Sequence, residues 1–143
     1  VTEADFDPGA ELARLEALPG GAVASFTGLV RDDGGMQALR LEHYPGMTER
    51  RIEEVVREAM ARWPLIGATV IHRFGLLPVG ARIVFVGTAS SHRVAALEAC
   101  AFLIDWLKVS APFWKQELGA DGSAGWVEAK DADDDRAAGW TRD

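Results

Sequence analysis

Cysteine is nearly absent from this 143-residue chain: Cys100 stands alone, so neither an intramolecular disulfide nor a cysteine-rich metal site can form. Histidine is also scarce, with His43, His72 and His92 far apart in sequence, and no HExxH, GxSxG or glycine-rich phosphate loop is present. No metal site or cofactor is expected on those grounds. Positive charge is the minority, 15 Lys and Arg against 22 Asp and Glu, a net charge of -7. That balance argues against general binding to nucleic acid or anionic membranes. Apolar stretches are broken by Arg, Glu or Asp well short of the ~20 residues a spanning helix needs. The opening VTEADFDPGAELARLEAL carries acids where a secretory leader carries bases, so a cytoplasmic chain is expected.

What is present is enough for a core. Apolar residues make up 48% of the chain, which excludes wholesale disorder and suits one domain over residues 1–143, ending in an acidic tail (131–143) expected to be loose except at Trp140. Asp7-Pro8 followed by Leu12, Leu15 and Leu18 predicts a capped helix that ends by Gly20-Gly21. Residues 22–30 form a β-rich run, and 31–35 a turn. Leu39, Leu41 and His43 alternate with polar neighbours as in a half-exposed strand. Thr48 is placed to cap a helix running to Trp63, with Ile52, Val55, Val56, Ala59, Met60 and Trp63 on one face. Strands are predicted over 68–74 and 81–90, joined by a hairpin-like turn at 75–80.

Ser90 and Ser91 can cap a long helix to about Lys108, apolar nearly all round and so expected to be central. Pro112 must break it, with a second short helix expected to follow. A flexible loop at 119–125 and a strand at 126–129 close the pattern. Helices and strands are interspersed and several strands are joined by short turns. An α+β fold with a mostly antiparallel sheet is the expected class.

Three basic clusters carry the functional signal. Arg31 leaves a strand through Leu29-Val30 into a glycine-rich turn. His92-Arg93 sit where a strand hands over to the long helix, whose first amides and positive dipole end favour an anion. Lys108 and Lys115 bracket Pro112, and a lysine against apolar walls loses hydration and with it some of its basicity. Each has a structural alternative: a solvated turn, an exposed helix start, or a lysine satisfying helix C-terminal carbonyls. Cys100, among Ala and Phe, reads as a small buried hydrophobe. From the residues alone the reading is an anion-binding cleft on an acidic protein.

The stretches TGLVR (27–31), LEHYPGMTE (41–49), VIHRFGLLPVG (70–80), IVFVGTASSHR (83–93), DWLKVSAPFWKQE (105–117) and WVEAK (126–130) resemble the large, catalytic subunit of molybdopterin synthase, in that family's order. The resemblance implies an α/β hammerhead-type domain with an added β-subdomain, working as a cytoplasmic homodimer. Each protomer would bind a small ubiquitin-like sulfur carrier whose C-terminal Gly-Gly thiocarboxylate enters its pocket, making a heterotetramer. Sulfur would pass from it to cyclic pyranopterin monophosphate, forming the dithiolene of molybdopterin without a metal.

Carried over residue by residue, Lys108 and Lys115 match the family's two active-site lysines. Arg31, His92 and Arg93 match its substrate-contacting basic residues, the His-Arg pair reaching the neighbouring protomer's pocket. Leu29, Val30, Gln116 and Glu117 would lie along the same substrate site. Leu29 stands where the family commonly has Lys, the 32–37 loop is short, and Lys130 replaces an Arg. The alternative reading is a non-catalytic module that binds an anion or a peptide tail in the same basic pocket.

Overall fold

The computed structural model describes residues 1–32, 34–119, 124–127 and 140. Lys130, most of the acidic tail, and residues 120–123 of the expected flexible loop lie outside them. In chain order the elements are α1 (Pro8–Glu16), β1 (Ala22–Leu29), β2 (Met36–His43), α2 (Met47–Arg62), β3 (Leu65–His72), β4 (Gly75–Pro78), β5 (Arg82–Ser90), α3 (Arg93–Val109), β6 (Phe113–Gly119) and β7 (Ala124–Val127). The fold is α+β, with two antiparallel sheets ordered β1-β5-β3 and β4-β2-β6-β7. The second, four-stranded sheet is the β-subdomain expected beside the main one.

Strand β5 is the spine. Val84 to Ser90 are all buried, because both faces of its sheet are covered, which is why apolar residues stand on both faces of the run instead of alternating with exposed polar ones. On one face Phe85 and Ala89 pack under Leu15 of α1. On the other, Val84 and Val86 join Ile52, Val55 and Ala59 of α2 and Ala96, Cys100, Phe102, Leu103 and Leu107 of α3. Gly87 lets α1 approach, since a Cβ there would collide with a Leu15 methyl. Asp7 caps α1 as the sequence predicts, its carboxylate accepting from the Gly9 amide at 2.9 Å.

Several expectations are overturned. The hairpin turn at 75–80 is largely a strand: β4 pairs with β2, with Leu39 opposite Leu77. Gly75, at φ +97°, redirects the chain there, and Leu77, 1% exposed, fills a small core with Val30, Leu39 and Leu41. Directly after Pro112 the expected short helix is replaced by strand β6. Residues 113–119 extend between β2 and β7, where two neighbours satisfy the backbone on both edges.

Neither predicted hydroxyl cap operates as one. Gly46 holds the N-cap position of α2 and His92 that of α3. Ser90 Oγ instead donates to Pro64 O at 2.9 Å and accepts from the His92 amide at 3.3 Å, fastening the end of β5 to the entry of β3. Nor is α3 buried all round: Val94 and Leu97 are 58% and 61% exposed, and on α2 Met60 is 42% exposed. Cys100 is buried as expected, and burial pushes its thiol up to about 11, away from reactivity. Trp140 is pinned against α3, its indole nitrogen donating to Asp105 at 2.7 Å. No helix of the described residues is long and apolar enough to cross a membrane.

Candidate functional site

Antiparallel pairing decides which cations can meet. Leu29 and Gly28 lie opposite Arg82 and Val84, and His72 also lies opposite Val84. The exits of β1 and β3 therefore flank the entry of β5, and Arg31 emerges at that end of the sheet. Helix α3 begins beyond the other end, after Ser90, and runs back over β1 and β5. Its last turn carries Lys108 to the end where Arg31 and His72 sit. His92 and Arg93 remain at the far end. At 1.5 Å per residue the 17 residues of α3 span about 25 Å.

Lys115 arrives from the second sheet. It lies opposite Leu41 and two residues from Phe113, which lies opposite His43. Phe113, Lys115 and Glu117 thus share one face of β6 with Leu39, Leu41 and His43 of β2. That face packs toward Val30 and the end of the first sheet. Gln116, of opposite parity, leaves from the outer face with Arg40. Val30 has its side chain in the core, and its backbone is clamped by bonds of 2.9 Å to Ala81 O and from Gly80 N. These bonds fix the backbone from which Arg31 follows. Leu29 is 52% exposed and adds an apolar rim rather than a charge.

The Lys108–Lys115 segment is fastened at its turn. Thr48 is fully buried; its hydroxyl accepts from the Tyr44 amide at 3.0 Å and donates to Pro112 O at 3.1 Å. Sequence reading treats this threonine as a helix cap. Its contact partner is 64 positions away, which no local signal reports. Thr48→Val keeps the shape and strands both backbone groups, so a loss of about 1–3 kcal/mol in urea unfolding is expected.

At the centre of these elements lies a residue that no sequence motif marks. His72 is 6% exposed, and its ring stacks on Phe113 at 3.8 Å and 19°. Burial pushes its pKa down from 6.5 to about 3, against the raising effect of its bond to Arg73 O, and the charges of Lys115 and Lys108 lower it further. Both lysines are therefore near enough to act on one buried ring. The signal for His72 in the sequence is weak: a polar residue at an apolar position of a strand. Lys108 is exposed in the single chain, contrary to the apolar-walled position expected for it, while Lys115 is half-buried.

The arrangement gathers Arg31, Lys108 and Lys115 at the seam of the two sheets and leaves His92-Arg93 apart. Such a site can hold an anion and place a proton donor beside it. Among the described residues no group of three or more His, Cys, Asp or Glu could hold a metal ion.

The family model described as MoaE protein matches residues 1–110. The molybdopterin synthase catalytic subunit of Rhizobium meliloti (strain 1021) is 54% identical over 146 residues, covering 99% of this chain and 94% of the relative. Among solved structures, the molybdopterin biosynthesis MoaE protein from Burkholderia ambifaria MC40-6 is similar with a TM-score of 0.83 and 45% identity, covering 97% of this chain and 94% of that one. The crystal structure of molybdopterin synthase from Staphylococcus aureus matches with a TM-score of 0.82 and 27% identity, over 89% and 94% of the two chains.

Proposed function

The chain belongs to the MoaE protein family, and from that membership we propose that it is the catalytic subunit of a molybdopterin synthase, a sulfurtransferase that converts cyclic pyranopterin monophosphate into molybdopterin. The sulfur comes from the C-terminal thiocarboxylate of a small ubiquitin-like carrier, threaded into the seam between the two sheets. The observation that carries this reading is the convergence of Lys108 and Lys115, from α3 and β6, on the buried ring of His72. A passive phosphate site has no need of two lysines fastened on either side of a proline turn.

Each group then has a task. Arg31, with His92 and Arg93, holds the phosphate and stabilises the charge that appears as the cyclic ester opens. The thiocarboxylate sulfur attacks a side-chain carbon of the pterin, forming a carbon–sulfur bond as the carbon–oxygen bond to the cyclic phosphate breaks, and the carrier is left attached through its existing acyl–sulfur bond. Water cleaves that bond, so the carrier departs as a carboxylate and the sulfur stays on the pterin. Lys108 moves the proton or stabilises the acyl intermediate, and Lys115 orients substrate and carrier.

The distance between Lys108 and Arg93 calls for two copies of the chain. Val94, Leu97, Ala101 and Ile104 recur at helical spacing along α3 between those two cations, and the first two are more than half exposed. Two copies packed antiparallel through this stripe about a two-fold axis bring one copy's His92-Arg93 beside the other's Lys108. With one carrier per protomer, the assembly is a heterotetramer.

The test mixes the protein with a thiocarboxylated carrier and the cyclic substrate, and looks for a dithiolene-bearing pterin. Substrate retained without turnover would favour a binding module instead. In the same assay Lys108→Ala and Arg93→Ala are each expected to be inactive. Mixed and re-equilibrated, they should recover about a quarter of the wild-type sites, because half the dimers then hold one intact composite site. Mixtures no better than either variant would remove the shared site.

A further inference from the structure

We propose that His72 is a positioning residue for Lys115: a neutral imidazole that carries its proton on Nδ1 and offers Nε2 as the acceptor that orients the lysine ammonium. The tautomer follows from geometry. Nδ1 lies 2.9 Å from Arg73 O, and a carbonyl oxygen has no proton to give, so Nδ1 must donate and Nε2 is left with its lone pair. The ring is held by the Phe113 stack and by its bond to Arg73 O, and the backbone beneath it by the His72 carbonyl accepting from the Thr2 amide at 2.9 Å. Lys115 lies on the same face of β6 as that stacking phenyl ring, one pleat repeat along, about 7 Å between α-carbons.

The surroundings keep the ring uncharged. Lys115 of β6 and Lys108 of α3 both act on it, and both are positive. The adjacent Arg73 turns its guanidinium to Glu3 O and Arg82 O, with Asp5 at 3.8 Å, and Asp5 also pairs with Arg82. His43 lies across Phe113, its ring centroid 6.2 Å from the phenyl. A second proton on His72 would face these cations without water to screen it.

The choice of histidine has a chemical consequence. An aspartate or glutamate here would neutralise the lysine it holds. A neutral imidazole fixes the ammonium and leaves its full charge for an anionic substrate.

This inference rests on the reading of Lys115 as a site residue, and its decisive measurement needs no turnover. In protein with ¹⁵N-labelled histidine, two-bond ¹H–¹⁵N spectra should show His72 neutral with the proton on Nδ1 from about pH 8 to about pH 5. Its Nε2 resonance should shift on Lys115→Met. A proton on Nε2, a ring that titrates in that range, or an Nε2 signal indifferent to Lys115→Met would each overturn the proposal. In the conversion assay, His72→Leu should lower kcat by up to about 10²-fold with KM changed far less. His72→Gln, which retains an acceptor oxygen, should recover part of that loss. A failed sulfur-transfer reading would leave the spectra as expected and abolish only the kinetic arm.

Discussion

Lys108→Ala is expected to cut single-turnover formation of the dithiolene product by roughly 10²–10⁴-fold, the usual effect of removing a positioned proton-transfer group. The loss will not be an unfolding effect. Lys108 is exposed in the last turn of α3, where a cation contributes about 0.3–1 kcal/mol through the helix dipole. The melting temperature should therefore move by only a few degrees. Lys108→Arg separates the two roles open to this residue. Arginine keeps the charge but cannot release a proton near neutral pH. Rescue by arginine would mean electrostatic stabilisation of the acyl intermediate, and failure of rescue would mean proton transfer. Near-normal turnover by Lys108→Ala, measured with a fully thiocarboxylated carrier, would remove the residue from the mechanism altogether.

Acid should destabilise the protein through His72 well before the carboxylates begin to titrate. Its pKa is about 3 in the folded chain and 6.5 ordinarily, and burial is the main cause. Between those values the unfolded chain binds a proton that the folded chain refuses, so stability rises with pH across this window. The full stability is present above 6.5 and is lost as pH falls, with a slope approaching about 1.4 kcal/mol per pH unit. From pH 6.5 to pH 5 this amounts to about 2 kcal/mol, readable by urea unfolding at stepped pH. His72→Leu should flatten the curve in that interval by the same amount. Parallel curves for the two proteins would show that the ring takes up its proton in the folded state.

The candidate site was legible in part. Arg31, Lys108 and Lys115 stand out because basic side chains next to a strand exit or a proline break are unusual in an acidic chain, and the structure brings their elements to one end of the first sheet. His92-Arg93 stand out equally, yet a 17-residue helix holds them apart from Lys108 within one chain. Thr48 and His72 gave no comparable signal. Their partners, Pro112 and Phe113, lie 64 and 41 positions away, and nothing in the neighbouring residues announces either contact.

The sequence by itself determined the helices and most strands: Asp7-Pro8 starts α1, apolar spacing from Ile52 to Ala59 makes α2, and residues 81–90 read as the strand that becomes β5. These follow from forces between residues a few positions apart. Only the tertiary structure decided that residues 75–78 would join β2 instead of forming a turn, and that the segment after Pro112 would be a strand. Both are edge-pairing outcomes: a short segment becomes a strand when distant backbone offers hydrogen-bond partners, and that offer is made by the fold as a whole. The same long-range pairing set Phe113, and with it Lys115 two residues along β6, beside the buried ring of His72, where charge and hydration, not sequence distance, fix what each side chain can do.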